Sequence, residues 1–328
     1  MIRQALIAAA AIALASAGAA QTSESLPIEW TISPAGSDSQ DKVQLALSYR
    51  TSRAGQNMNS RSYPLSDLQG LSSAQLASAE GSRTRFRIIR DAGLLDCDGM
   101  VRRGRGTGKC SFSPDQSYAA ALERRGIGRP TLRQQYMLTV QNVGLPLLDE
   151  LERQGYERPT MDKLVAAGIH GVSLPYLRGL ADAGYRLRSI DSLVAFRIHG
   201  VTPDFIREIA SINPRYRGAS ADELVKMRIH GVTAEKVRQL AELGYRDLSH
   251  DQMMSMSIHG VTPTYIREMA AAGYRGLSAE QLVRMRIHGV TPAYVRDFRA
   301  RGYELPSADQ LVRMRISGFR PSRRNERD

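Results

Sequence analysis

The sequence lacks several features that mark common functional classes. It contains two cysteines among 328 residues, and it has no His-Glu-x-x-His, Gly-x-Ser-x-Gly or Walker motif. These absences give no support to a zinc peptidase, a serine hydrolase or a P-loop enzyme. After residue 20, no stretch is long and apolar enough to cross a membrane, since a spanning helix needs about 20 apolar residues. We therefore expect no enzyme, no cofactor, no metal ion and no transmembrane segment in the mature chain.

Negative charge is also scarce relative to positive charge. The chain has 45 Lys and Arg against 33 Asp and Glu, a net charge of +12. A basic balance favours an acidic or anionic partner. The hydrophobic fraction of 42% is sufficient for one or two units with a buried core.

The N-terminus has the pattern of a secretory signal. Residues 1–20 read MIRQALIAAAAIALASAGAA, with Arg3 before an apolar run and small residues around Ala17 and Ala20. This predicts a signal peptide cut near Ala20, because the run is short for the alternative of an uncleaved anchor. The expected location is the periplasm or the exterior of a bacterial cell, which argues against cytosolic nucleic acid as the partner.

Residues 21–113 predict a small antiparallel β domain. Short runs of strand-favouring residues alternate with Gly, Ser and Asp. These runs are 28–32, 43–49, 85–90, 94–97 and 109–112. A short helix is expected to start near Ser72 or Ser73, and residues 54–62 read as a polar loop.

A glycine-rich stretch, RRGRGTGK, separates the two cysteines of this domain. It predicts a hairpin turn, and the alternative of a phosphate-binding loop would require a helix after it. Cys97 and Cys110 flank the stretch on adjacent expected strands. In an exported protein this pair predicts a disulfide, since the spacing fits neither Cys-x-x-Cys chemistry nor a four-ligand zinc site.

One stretch recurs in the C-terminal part of the chain. Residues 282–303 read LVRMRIHGVTPAYVRDFRARGY. Related copies begin at Leu164, Leu193, Leu224 and Met253, and a broken copy begins at Leu311. A period of about 29 residues in several copies indicates stacked supersecondary units.

Each copy predicts a pair of short helices. Ser278 is a suitable N-cap for a helix A over residues 279–287, and Gly289 can end it. Thr291 then caps a helix B in which Pro292 takes the first turn, and Gly302 closes that helix. The spacing of the apolar residues places Leu282, Val283, Met285 and Ile287 on the buried stripe of helix A, and Tyr294, Val295 and Phe298 on that of helix B.

Helices this short need neighbours to be stable. The expected fold class is therefore an α+β multi-domain chain. A small antiparallel β domain precedes an α-hairpin repeat solenoid over residues 114–319, and a charged tail covers residues 320–328. About six hairpins follow an opening half-unit, which runs from Pro114 to Arg125 with Ser113 as its cap. In the copy after Ile198, the sequence SINPRYR predicts a longer connection.

Histidine and arginine recur at fixed repeat positions. The histidines are His170, His199, His230, His259 and His288. They are expected to end each helix A and not to share a metal ion, because stacked helices lie roughly 8–10 Å apart. The helix-A arginines are Arg197, Arg228, Arg286 and Arg315, and the helix-B arginines are Arg178, Arg207, Arg238, Arg267 and Arg296.

Two interpretations of the arginine rows remain open. They form a candidate binding surface for an extended anionic partner, since equivalent positions of a solenoid line one surface. Alternatively, they are surface arginines that pair with acids of adjacent repeats, such as Glu208, Glu268 and Asp297.

The repeat LVRMRIHGVTPAYVRDFRARGY resembles helical repeats that accompany the beta-lactam-sensor type of bacterial membrane metallopeptidase and that occur in stand-alone exported proteins. The segment RFRIIRDAGLLDCDGMVRRGRGTGKCSFSP resembles the small domain that precedes such repeats. The chain has no peptidase zinc motif, so the resemblance implies an envelope sensing or binding module without protease activity.

The sequence thus predicts an exported, non-enzymatic binding scaffold whose partner is an envelope protein. The alternative is a binder of anionic envelope polymer or lipid head groups through the arginine rows. A hydrolase with a site between the two domains is a third interpretation, and it would need an exposed carboxylate or histidine cluster there.

Overall fold

The computed structural model describes residues 26–35, 41–50 and 56–319. The predicted signal peptide and the charged tail lie outside the described residues. The chain divides into two compact units. The first, here called the sheet unit, comprises Met1–Arg87 and Leu95–Phe112, and the second, the helical unit, comprises Ile88–Leu94 and Ser113–Asp328.

The described strands form a six-stranded antiparallel sheet. They are β1 (Ile28–Pro34), β2 (Lys42–Arg50), β3 (Gln56–Pro64), β4 (Ser82–Arg90), β5 (Gly93–Arg102) and β6 (Arg105–Pro114). Their order across the sheet is β3-β2-β1-β6-β5-β4. On β1, β2 and β4, buried and exposed side chains alternate, because successive residues of a strand point to opposite faces.

Strand β3 corrects the expectation of a polar loop over residues 54–62 for its residues 56–62, while residues 54 and 55 lie outside the described residues. It pairs antiparallel with β2 along its length, with Val43 opposite Tyr63. Its sequence, QNMNSRSYP, contains few strand-favouring side chains, and Tyr63 is its buried residue among those described. This edge segment is a strand because its backbone pairs with that of β2. Its side chains have little strand propensity, so they did not indicate the pairing.

Glycines on β5 and β6 admit the fully buried ring of Trp30. The Trp30 Nε1 donates to the carbonyl oxygen of Asp98 at 3.0 Å. A Cβ at Gly99, Gly106 or Gly108 would lie 2.6, 3.0 or 2.7 Å from an atom of the Trp30 side chain.

The predicted hairpin turn is confirmed but shorter than the glycine-rich stretch. Strand β6 follows the turn where a phosphate loop would require a helix, so the phosphate-binding alternative is wrong.

The cysteines join two neighbouring strands. Cys97 on β5 and Cys110 on β6 form the predicted disulfide, and both residues are buried. The expected short helix is also present, as α1 (Ser73–Ala77). The Ser72 Oγ accepts from the Gln75 backbone N–H, and the Gln75 Oε1 accepts from the Ser72 backbone N–H, so two otherwise unpaired N–H groups are satisfied.

Over residues 113–319, which the structure describes, the helical unit is built from short helices in six hairpins, with one opening and one closing helix. They are α2 (Gln116–Arg124), α3 (Leu132–Val140), α4 (Leu145–Arg153), α5 (Met161–Ile169), α6 (Leu174–Asp182), α7 (Ile190–Ile198), α8 (Pro203–Ile212), α9 (Ala221–Ile229), α10 (Ala234–Glu242), α11 (His250–Ile258), α12 (Pro263–Ala271), α13 (Ala279–Ile287), α14 (Pro292–Ala300) and α15 (Ala308–Ile316). From α3 on, odd-numbered helices are helix A of their copy. Even-numbered helices are helix B, and α2 is the opening helix B.

The capping residues predicted for one copy are confirmed. Ser278 and Thr291 cap α13 and α14 through their side chains, and Gly289 follows α13 with a φ of 69°. The opening helix differs from expectation: Asp115, not Ser113, is the N-cap of α2, and it accepts from the backbone N–H of Tyr118 at 2.9 Å. A carboxylate serves this position as well as a hydroxyl does.

The hairpins stack in two layers. Each helix A contacts the helix A of the next hairpin, as α11 contacts α13, and each helix B contacts the next helix B, as α12 contacts α14. The apolar residues from both layers form one continuous core cluster along the unit. This arrangement confirms the prediction of an α-hairpin repeat array, because each hairpin buries its stripe against its neighbours.

Two rows of tyrosines tie successive hairpins together. The first row lies on helix B, where Tyr176 donates to the carbonyl oxygen of Val201 at 2.7 Å and Tyr265 donates to that of Val290 at 3.0 Å. Burial raises the pKa of Tyr265 to about 12. The second row follows the glycine after helix B: Tyr245 donates to the Leu277 carbonyl oxygen at 2.6 Å.

The irregular copy after Ile198 uses an asparagine instead. The predicted longer connection is present as a 3₁₀ turn over Pro214–Tyr216. Asn213, which is buried, donates from Nδ2 to the carbonyl oxygen of Leu248 at 2.9 Å. Leu248 directly precedes the N-cap Ser249, as Leu277 precedes Ser278. The side-chain amide therefore makes the contact that a tyrosine hydroxyl makes in the regular copies.

Candidate functional site

The helix-B arginines differ in their partners. Arg178 approaches the buried Glu150 of the preceding hairpin, with 3.4 Å between Nε and Oε2. Arg207 and Arg238 pair with acids three residues earlier on their own helices, Asp204 and Glu235. Within the described part of the chain, Arg267 and Arg296 are exposed and make no ion pair. These two arginines are therefore the members of the row with a guanidinium available to a partner.

The acids named in the alternative interpretation do not pair with this row. Asp297 pairs with Arg301 on its own hairpin, at 2.8 Å. Among the residues that the structure describes, Glu208 and Glu268 form no ion pair and are exposed. Pairing with an adjacent repeat occurs once in the helix-B row, at Arg178, through an acid that the sequence did not indicate.

The helix-A arginines lie between neighbouring hairpins. Each places its guanidinium 4.8–4.9 Å from the centre of an aromatic ring on the preceding helix B. The rings belong to Tyr176, Phe205, Tyr265 and Tyr294. The Nε of Arg197 also donates to the backbone carbonyl oxygen of His170 at 3.0 Å. A cation above a ring face and a bonded carbonyl both stabilise the stack, so these arginines contribute to repeat packing.

Between one pair of neighbouring hairpins, both residues of this arginine–ring contact are replaced by others. The ring position holds Lys236, and the arginine position on the next helix A holds Ser257. The Lys236 Nζ donates to the Ser257 Oγ at 2.8 Å, and burial lowers the pKa of Lys236. The positive charge is on helix B here and on helix A in the regular copies, and the two side chains are in contact in both cases. The two positions therefore act as a pair.

We expect the double substitution Lys236→Tyr with Ser257→Arg to stabilise the helical unit by about 1 kcal/mol, because it restores a cation over a ring. Ser257→Arg alone should destabilise, since its guanidinium would face the Lys236 ammonium. Urea unfolding of all four chains should give a coupling energy of about 1–2 kcal/mol.

The reverse exchange at a regular position, Tyr265→Lys with Arg286→Ser, is the matched control. Each of its single substitutions should lower the free energy of unfolding by more than the double substitution does. Additive effects within about 0.5 kcal/mol in both cycles would show that the positions are independent.

The recurring histidines end helix A, as predicted. His170, His199, His230, His259 and His288 are the C-cap residues of α5, α7, α9, α11 and α13. No cluster of three or more potential ligands for a metal ion occurs among the described residues. The backbone of these histidines takes part in the stack, and their rings lie at the surface, His199 half-buried and the other four exposed.

An isoleucine row beside these histidines is the main surface feature of the helical unit. It consists of the last residue of each helix A from α5 to α15, namely Ile169, Ile198, Ile229, Ile258, Ile287 and Ile316. Their side chains are between 51% and 62% exposed. The expectation that Ile287 lies on the buried stripe is therefore wrong. The other apolar residues assigned to the stripes of that copy are buried.

Helical geometry contained the signal for this row. At about 100° per residue, Ile287 lies about 140° around the helix from Leu282 and about 200° from Met285, which are both in the core. The residue type suggested burial, whereas the angle indicated exposure. The residue one turn before the isoleucine is an exposed cation on three of the six helices, namely Lys226, Arg284 and Arg313, and Arg284 pairs with Asp309 at 3.0 Å. The surface around the row is therefore apolar, with an unpaired cation beside two of its six isoleucines among the described residues.

The buried Glu150 is the strongest electrostatic feature of the unit. Its side chain is 4% exposed, and it accepts hydrogen bonds from Arg153, Gln154 and Arg178. The hydrogen bond from Arg153, followed by that from Gln154, lowers the pKa of Glu150 to about 2. This carboxylate is held charged by donors from its own helix and from the next hairpin, and all of these partners are structural.

No helix in the described part of the chain is both long and apolar enough to cross a membrane. Comparisons of the chain with models of protein families, with curated proteins and with solved structures find no match.

Proposed function

We propose that this chain is a non-enzymatic binding scaffold of the bacterial envelope that holds a protein partner along its isoleucine row. The observation that carries the proposal is the exposure of six equivalent isoleucines, each by more than half. Burial of the exposed half of one isoleucine contributes on the order of 1 kcal/mol. A row of such side chains therefore favours an apolar partner, and contiguous exposed apolar surface is typical of interaction sites.

The flanking charges and the helix spacing narrow the chemistry of the partner. Lys226 and Arg313 lie one turn before Ile229 and Ile316 and make no ion pair in the described chain, so acidic side chains in the partner would be attracted there. Neighbouring helices in such stacks lie roughly 8–10 Å apart. A polyproline II segment repeats every third residue, at about 9 Å. The partner proposed here is an extended acidic segment with an apolar side chain at every third position.

The envelope location rests on three supports. The Cys97–Cys110 disulfide is of the kind that persists in oxidising compartments. The N-terminal sequence has the pattern of a secretory signal, and the resemblance of the repeat to those beside membrane metallopeptidases implies the same compartment.

The test uses a defined peptide of six Leu-Pro-Glu units and the full-length oxidised chain. Fluorescence anisotropy should detect binding that weakens roughly 100-fold when Ile198, Ile229, Ile258 and Ile287 are all replaced by serine. A peptide of the same composition with irregular leucine spacing is the matched ligand control, and it should bind at least tenfold more weakly. Equal binding of both peptides, or no loss in the serine variant, would refute the isoleucine row as the site.

The second candidate is a binder of anionic polymer or lipid head groups through the helix-B arginines. It is favoured by the exposed, unpaired side chains of Arg267 and Arg296 within the described residues. Replacement of Arg207, Arg238, Arg267 and Arg296 by glutamate should abolish salt-sensitive binding to phosphatidylglycerol vesicles if this function is correct. Strong vesicle binding without peptide binding would overturn the proposed protein partner in favour of this alternative.

A further inference from the structure

A cavity in the first hairpin of the helical unit coincides with a missing tyrosine. In two later copies, Tyr245 and Tyr274 donate to the carbonyl oxygens of Leu277 and Pro306, each 32 residues ahead. These carbonyls directly precede the N-cap of a helix A. At the equivalent position of the opening copy, Gly126 is followed by Ile127, and the same offset leads to Pro159, directly before the N-cap Thr160.

The space left by this exchange is open. A cavity of about 420 Å³ is lined by Ile127 and Pro159 together with Leu148, Leu151 and Tyr156. Sites for small molecules have volumes of roughly 300–1,000 Å³ and are mostly apolar with a few polar groups. The cavity therefore has the size of a site for an aromatic ring and one apolar wall, in the place where the regular copies hold a tyrosine ring of their own.

The polar groups at this cavity are mainly cationic. Arg124, Arg125 and Arg158 contribute to its lining. The Nε of Arg125 is buried and has no hydrogen-bond partner among the described residues, although its two terminal nitrogens bond to the Ala121 carbonyl and to Asp149. The cationic groups that remain free to meet a ligand at this cavity are therefore those of Arg124 and Arg158, which make no ion pair in the described part of the chain.

The two acids at the cavity do not cancel this charge. Glu157 is paired with Lys163 at 3.1 Å, and that hydrogen bond lowers its pKa. Glu152 is the other acid of the lining, which contains three arginines. Two of these, Arg124 and Arg158, make no ion pair in the described part of the chain. Guanidinium groups beside an apolar wall match a carboxylate joined to a ring.

We infer that this cavity binds an aromatic carboxylate, with the ring in the space of the missing tyrosine and the carboxylate at the arginines. The ligand is a free aromatic acid or the C-terminal aromatic residue of a peptide, which present the same chemistry. The site is separate from the isoleucine row and does not depend on the proposed function.

Titration calorimetry of the full chain tests this inference with 4-hydroxyphenylacetate and with the tripeptide Gly-Gly-Tyr. We expect a Kd on the order of 0.1 mM for at least one of them, in keeping with ligands of this size. The corresponding amides, which have no carboxylate, should bind at least tenfold more weakly. A preference for the acid or for the tripeptide identifies the source of the ligand.

Two variants link binding to the geometry. Ile127→Tyr should fill the cavity, abolish binding and raise the Tm by about 2–4 °C, because it restores the contact made in later copies. Arg158→Gln should weaken the carboxylates tenfold and leave the amides unchanged. The inference is overturned if neither probe binds at 5 mM, roughly fifty times the expected Kd, if Ile127→Tyr retains binding, or if that variant lowers the Tm.

Discussion

Replacement of Gly108 by alanine is expected to destabilise the sheet unit by about 3 kcal/mol or more. A Cβ at this position would lie 2.0 Å from the carbonyl oxygen of Asp98 and 2.7 Å from the Trp30 Nε1. The first of these atoms is backbone in a neighbouring strand, so it cannot move aside without breaking the ladder. Two-state domains have a total stability of about 5–15 kcal/mol, and a loss of this size removes a large part of it.

The measurement can be confined to one unit. Trp30 is the single tryptophan of the chain, so its fluorescence follows urea unfolding of the sheet unit, and helical circular dichroism at 222 nm follows the other unit. The exposed Thr107 on the same strand, replaced by alanine, should change stability by less than about 0.5 kcal/mol. A Gly108→Ala chain as stable as this control would show that the strands can separate to admit a methyl group.

Replacement of Glu150 by alanine is expected to destabilise the helical unit by about 2–3 kcal/mol at pH 7. The change removes three hydrogen bonds to a charged acceptor, and it leaves the Gln154 amide buried without that partner. The matched control is Glu268, which has the equivalent position on α12 but is exposed. Glu268→Ala should have an effect below about 0.5 kcal/mol, and a similar loss in both variants would contradict a special role for Glu150.

The same carboxylate gives the helical unit a defined response to acid. The folded-state pKa of Glu150 is lowered to about 2 from an ordinary value of 4.5. A group with a depressed folded pKa contributes stability that is present above its unfolded pKa and is lost as the pH falls through the folded value. The contribution of Glu150 should therefore fade between pH 4.5 and about pH 2. Glu150→Gln has no such carboxylate, so its stability should fall less steeply over that window, as followed by urea unfolding at 222 nm.

Much of the helical unit could be predicted because its signals are local. Ser278, Thr291 and Gly289 lie within a few residues of the helix ends that they define, and the predicted bounds 279–287 are those of α13. The period of about 29 residues then required stacking, because single hairpins of this length are not stable alone. Cys97 and Cys110 were likewise joined correctly from their places on adjacent strands.

The two main errors have different physical causes. Strand β3 has little strand propensity of its own, and its pairing with β2 decides its conformation. Ile287 was assigned to the core by its residue type, although its direction on the helix turns it away from Leu282 and Met285. In both cases the prediction used the type of the residue, namely its strand propensity or its apolar character, and not its position in the structure.

For the candidate site, the sequence identified repeated positions without separating their roles. The helix-A and helix-B arginines have the same period, yet Arg286 lies over the ring of Tyr265 whereas Arg267 is exposed without an ion pair in the described chain. The ring that Arg286 covers is on another hairpin. Period alone carries no information on which of the two rows faces a neighbour.

The sequence by itself determined the helices, their repeat and the disulfide, because caps, glycines and periodicity act over distances of a few residues. Only the tertiary structure decided the packing role of the helix-A arginines and the cavity at Ile127. Those features depend on contacts between residues 21 to 32 positions apart, as in the ring contact of Arg286 with Tyr265 and the bond from Tyr245 to Leu277. Such contacts exist only once the hairpins have stacked, since stacking is what brings equivalent positions of successive copies together.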